Sequence, residues 1–192
     1  MIVEQSESYM HFIQWGAVIG ASLVAAVWDL RTRRIPNILT FPLLLTGILW
    51  STYVGGAWGF LESIVAGITV SVPFWVLYVF AGGGAGDVKL MAGIGAWLGL
   101  STGLSALTFV VLSGGIMGIV LALSKGQLRP ILLRLRKLVG AMMATVLFNR
   151  GRGFSGAGNA WVDHKTMVYM PYGLAIFCGV CLSATGYSPW PF

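Results

Sequence analysis

The chain has 192 residues, of which 57% are hydrophobic and only 9% charged, and its mean hydropathy is +0.83. Soluble domains carry about 25% charged residues, and six acids with twelve bases cannot cover a water-facing surface of this size. The composition excludes a cytosolic enzyme, a secreted disulfide scaffold and a disordered segment, and predicts an all-α, polytopic integral membrane protein.

One domain, residues 1–192, fits this length, and crossings of about 20 residues each allow six or seven of them. Residues 1–11 carry Glu4 and Glu7 without Lys or Arg, so they lack the basic start of a signal peptide and no cleavage is expected. A first apolar segment covers residues 12–28 and closes in Asp29; residues 30–34 then hold Arg31, Arg33 and Arg34. Pro36 suits the first turn of a second segment, 36–53. Gly55, Gly56 and Gly59 mark an uncharged turn, and the third segment, 60–80, is expected to kink at Pro73.

Gly82-Gly83-Gly84-Ala85-Gly86-Asp87 follows, with Lys89 behind it. Residues 90–123 are 34 positions without a charge, too many for one crossing, and fit a hairpin of two short helices turning near Gly99 to Gly103. A basic stretch, 125–165, precedes a sixth apolar segment, 166–186.

The net charge of +6 reads as topology in a membrane chain, and no nucleic-acid partner is expected. With six crossings, one side receives the loop after Asp29, the glycine loop and the basic stretch, which hold three, one and eight basic residues and so all twelve. Both termini are therefore expected outside and these loops in the cytoplasm. Trp15, Trp50, Trp58 and Trp97 then fall near the outer interface and Trp28 near the inner one, as an aromatic belt.

Within the cytoplasmic basic loop, 124–165, residues 128–148 alternate apolar side chains with Arg129, Arg134, Arg136 and Lys137. This predicts an amphipathic helix on the inner leaflet, with membrane lipid as its partner. Residues 151–159 are Gly-rich and read as a mobile loop. Cys178 and Cys181 lie in an apolar segment and read as two small buried thiols, not as a metal site. His11 and His164 read as solvated loop residues.

Three acids lie in or beside the apolar segments, and an ionisable group there is costly enough to suggest function. Glu62, near the outer side, reads as an interfacial carboxylate. Asp29 and Asp87 both sit at the cytoplasmic boundary, one closing the first segment and one opening the fourth. Singly, Asp29 could be a helix cap or the partner of a nearby arginine, and Asp87 the cap of the fourth helix. As a converging pair they could share one proton, one acting as general base on a water and the other as general acid toward a scissile amide. Gly84 and Gly86 would let backbone approach closely beside Asp87. A phosphate-loop reading of these glycines fails, because the run ends in an acid and lacks Gly-Lys-Ser/Thr.

These residues resemble the type IV prepilin peptidases, the Gly-x-Gly-Asp membrane aspartic proteases. Asp29 followed by Ile35-Pro36-Asn37 is similar to their first-aspartate motif, Gly84-Ala85-Gly86-Asp87 with Lys89 to their second, and Pro171-Tyr172-Gly173 to their C-terminal element. The resemblance implies an endopeptidase that removes the leader of a prepilin or pseudopilin at the cytoplasmic face of the bacterial inner membrane. Asp29 and Asp87 would be catalytic. Gly84, Gly86, Lys89, Pro36, Asn37, Pro171, Tyr172 and Gly173 would bind substrate or support the loops. No cofactor is implied. The chain lacks the paired CxxC insert of the longer members and looks like the short Flp (tight-adherence) form, for which neither a zinc site nor methyltransferase activity is expected.

Two other classes compete. A proton-coupled transporter predicts acids nearer mid-membrane and inverted repeats, and neither is found in the sequence. A non-catalytic pilus-assembly scaffold predicts that both aspartates are dispensable. A relative that cleaves signal-peptide remnants within the bilayer shares Gly-x-Gly-Asp, but its Tyr-Asp and Pro-Ala-Leu elements are missing here.

Overall fold

The computed structural model describes residues 2–81, 83–124 and 172–186, and among them all regular structure is helical. The helices are α1 (Ile2–Thr32), α2 (Asn37–Ala81), α3 (Ala85–Ser124) and α4 (Tyr172–Gly186). The basic stretch 125–165 with the amphipathic helix expected in it, the Gly-rich residues 151–159, His164 and Pro171 lie outside the described residues.

Helix α1 runs into the expected polar stretch, ending at Thr32, and His11 lies on it, not in a loop. It stops where Arg33 turns left-handed (φ 56) and its N–H donates to the Asp29 carbonyl at 2.8 Å, a conformation that usually falls to glycine at a helix end. Pro36 then starts α2: its carbonyl accepts from the N–H groups of Leu39 (3.1 Å) and Thr40 (3.4 Å).

A straight α2 of 45 residues would be about 68 Å long, and α3 with 40 about 60 Å, twice a bilayer's hydrocarbon core. Neither is straight. Gly56 (φ 59, ψ −142) breaks α2 and Gly99 (φ 73, ψ −178) breaks α3, so each folds into two arms at the glycine turns expected there. The departure from helical torsions in α2 falls at Gly56 and not at Pro73. Glycine carries these torsions because a Cβ would clash there.

The first arm of α3 lies between the arms of α2. Gly93 faces Leu43 and Gly47 faces Trp97 on one side; Gly95 faces Ala66 and Gly67 faces Ala92 on the other. The second arm of α3 continues onto α4, where Gly179 meets Val110 and the Ser113 hydroxyl donates to the Ala175 carbonyl at 2.6 Å. Among the described residues, helix α1 leans on α4 and on little else. Small residues at each crossing let the backbones approach, as helices do in lipid.

Val18, Val70, Leu90, Met91, Ile94, Ile176 and Val180 form the buried core. The outer surface is equally apolar, with Ile38 80% and Leu49 68% exposed, which suits lipid and not water. Three helical stretches, Met10–Thr32, Asn37–Val79 and Ala85–Leu121, are long and apolar enough to cross a membrane, while Tyr172–Gly186 is apolar but shorter.

Two further expectations are corrected and one is extended. Trp97 is buried, stacked on Trp50 at 5.8 Å, and donates from Nε1 to the Leu43 carbonyl at 2.9 Å, so it is a core residue and not part of a belt. Cys178 is exposed and Cys181 half-buried, because α4 turns Gly179, Val180 and Ser183 inward instead. Glu62 is more than an interfacial carboxylate: Oε1 accepts the Leu100 N–H at 3.4 Å and caps the second arm of α3 beyond the Gly99 break.

Candidate active site

Asp29 and Asp87 are both buried, at 5% and 8% exposure, and each is held by a different part of the fold. Asp29 stands in the last turns of α1, the unfavourable end for a negative charge. The opposite helix end compensates: the Gly173 N–H, an unsatisfied donor in the first turn of α4, points at Asp29 Oδ2 from 3.0 Å. Asp87 stands in the first turn of α3, where the helix dipole favours an anion, and its N–H donates to the Gly84 carbonyl at 3.2 Å.

The fold brings the two carboxylates into electrostatic range of each other, and brings the Tyr172 phenol into range of Asp87. With the Gly173–Asp29 hydrogen bond, this sets the end of α1 and the starts of α3 and α4 near one another, from positions far apart in sequence. Among the described residues no three His, Cys, Asp or Glu side chains converge to hold a metal ion.

The surrounding residues expected to support the site divide into two groups. Those touching it directly are glycines whose hydrogen is the largest substituent that fits. A Cβ on Gly84 would lie 2.7 Å from Asp87 Oδ2, and one on Gly173 would lie 2.9 Å from the Asp29 Cβ. Gly86 seats Ile35 from the loop after α1, where a Cβ would come within 2.8 Å.

The second group stands to one side. Lys89 Nζ donates to Asn37 Oδ1 at 2.9 Å and lies 5.1 Å from the centre of the Phe41 ring. Residues two apart on a helix do not share a face, so Lys89 serves α2 and not its neighbour Asp87. Pro36 sets the start of α2 between these contacts. Ile35, part of the Ile35-Pro36-Asn37 motif, and Phe41, which no motif marks, also belong to this arrangement. Phe41 is marked in the sequence only by its place one helical turn after Asn37.

An acid pair at converging helix ends of an apolar, all-helical chain defines a membrane protein with a buried two-carboxylate centre. Residues 16–123, more than half of the chain and including both acids, match the model of the Type IV leader peptidase family. The chain belongs to that family. Its curated relatives include prepilin leader peptidase/N-methyltransferases from several bacteria. The protein of Pectobacterium carotovorum is 37% identical over 57% of this chain and 40% of the relative, and that of Neisseria gonorrhoeae 33% identical over 58% and 42%. That of Klebsiella pneumoniae is 35% identical over 40% of this chain and 36% of its own length. The chain thus aligns with about two-fifths of the length of these relatives. No solved structure matches.

Proposed function

We propose that this protein is a membrane aspartic endopeptidase that removes the leader peptide of a type IV, Flp-type prepilin or pseudopilin. The observation that carries the reading is the approach of the buried Asp29 and Asp87, held on separate helices, within the family-matched region. In this mechanism one carboxylate takes a proton from water as it attacks the scissile carbonyl. The other donates a proton to the leaving amine, and the pair exchanges these roles through the proton it shares.

In the bilayer, α1, the two arms of α2, the two arms of α3 and α4 are six crossings of the inner membrane. Both termini lie outside. The ends that carry Asp29, Asp87 and Gly173 face the cytoplasm, in agreement with the basic residues of the adjoining loops. A substrate presents its basic leader to the cytoplasm while its apolar helix remains in lipid.

The test is a gel-shift cleavage assay in membranes holding a Flp-type prepilin. The unaltered chain is expected to shorten the prepilin. Asp29→Asn and Asp87→Asn, each expressed at the same level, are each expected to abolish the shift. Variants that cleave as well as the unaltered chain would remove the carboxylate pair from the mechanism. Absence of cleavage by any of the three would turn the assignment toward a transporter or an assembly scaffold.

A further inference from the structure

We propose that Asn37 and Lys89 are a positioning pair that sets where Asp87 stands relative to Asp29, a reading that rests on the peptidase function above. The two acids travel on different packing units. Asp29 rides on α1, which leans on α4 through Ala25 and Gly173. Asp87 rides on the first arm of α3, which is enclosed by the arms of α2. Although α1 and α2 are consecutive in the chain, they scarcely touch. The two carriers, α1 and α3, also touch little directly and share packing mainly through α4.

The short loop between α1 and α2 supplies what packing does not. At its start the Arg33 N–H is bonded to the carbonyl of Asp29 itself, at 2.8 Å. In its middle Ile35 seats on Gly86, the residue before Asp87. At its end Asn37 Oδ1 takes the hydrogen bond of Lys89 Nζ at 2.9 Å, joining residues 52 apart in sequence. The loop thus ties the backbone of one acid to both flanks of the other.

The chemistry of the last tie favours positioning over contact with substrate. Its acceptor is a neutral amide and its ammonium covers the Phe41 ring, an arrangement that fixes direction as well as distance. The helical register turns Lys89 away from the Asp87 carboxylate. Small errors in the placement of reacting groups are costly, since a displacement of about 1 Å can lower a rate about a hundredfold.

The experiment uses the full chain in nanodiscs with Cys178 and Cys181 replaced by serine. Spin labels on cysteines placed at the exposed positions Leu30 and Ala85 report the separation of the two acid-bearing helix ends. Cleavage of a co-reconstituted Flp-type prepilin reports kcat and KM. Asn37→Leu and Lys89→Met are each expected to broaden the distance distribution and to lower kcat about tenfold with KM within about twofold. The exchanged pair, Asn37→Lys with Lys89→Asn, is expected to recover both.

A raised KM at unchanged kcat would show that Lys89 meets the leader itself and would overturn the proposal. So would an unchanged distance distribution in both single variants. If the unaltered chain cleaves nothing, the peptidase reading fails separately and the distance measurement alone decides: broadening supports the positioning pair and no change rejects it.

Discussion

The backbone N–H of Gly173 donates to Asp29 Oδ2 at 3.0 Å, joining the first turn of α4 to the last turns of α1 across 144 residues. A helix start offers several N–H groups without partners inside the helix, and here one of them is aimed at a buried carboxylate. The same contact constrains the orientation of the Asp29 carboxylate. It also explains the glycine, because a Cβ at 173 would press on the Asp29 Cβ at 2.9 Å and on the Ala25 carbonyl at 3.2 Å.

Gly173→Ala should therefore damage the site more than the fold. The added methyl forces α4 or Asp29 to shift, an overpacking cost of about 1–3 kcal/mol. Prepilin cleavage should fall at least about tenfold, as expected for a misplaced reacting group, while the protein still extracts and melts as a folded species. Unchanged cleavage in the membrane assay would mean that the Gly173 contact does not position Asp29.

Glycines on α4 and α1 should respond in opposite ways. A Cβ on Gly179 would run into the Val110 backbone of α3, whereas one on Gly20 of α1 meets nothing within 4 Å. Gly179→Ala should lower the thermal midpoint of the detergent-solubilised protein by the equivalent of about 1–3 kcal/mol. Gly20→Ala should be neutral or stabilising by up to about 1 kcal/mol, because alanine is the better helix former. Equal midpoints for the two would contradict the close α3–α4 crossing.

The break at Gly99 leaves backbone groups without helical partners, and α2 supplies them. The Ser51 hydroxyl donates to the Ala96 carbonyl at 2.9 Å, and Glu62 Oε1 accepts the Leu100 N–H at 3.4 Å. Removing a cap of this kind costs about 1 kcal/mol. Glu62→Ala should lower the midpoint by that amount and Glu62→Gln, which keeps an acceptor oxygen, by less. If alanine and glutamine behave alike, the cap contributes nothing and the charge alone matters.

Arg33 is the one described non-glycine residue with positive φ. That conformation costs an L-residue about 1–2 kcal/mol. Arg33→Gly should raise the melting midpoint, measured by intrinsic fluorescence on heating. A lower midpoint would show that the arginine side chain holds the loop more strongly than its backbone strains it.

Much of the architecture was legible because its causes are local. Twenty-residue apolar runs, charge-free glycine clusters and a proline before Asn37 act through neighbours in sequence, and the breaks at Gly56 and Gly99 fall where those glycines stand. The acids were legible for a similar reason: carboxylates beside apolar segments are expensive, so Asp29 and Asp87 declared themselves. Their local context and the Tyr172-Gly173 element were also enough for the family resemblance, which the match over residues 16–123, spanning both aspartates, then bore out at the level of the family.

The burial of individual side chains was not legible. Trp97 was expected at an interface and lies in the core, and Cys178 was expected in the core and lies outside. In water an amphipathic stripe separates the two faces of a helix. In lipid both faces are apolar, so the stripe vanishes, and only the packing of small residues against particular neighbours decides which face turns inward. The same holds for Gly173 on Asp29, Lys89 on Asn37 and Glu62 on Leu100. Each joins residues dozens of positions apart, and no local preference encodes such a meeting. Composition and motif thus determined the class of protein and its acids, while the crossing of close-packed helices decided how those acids are held.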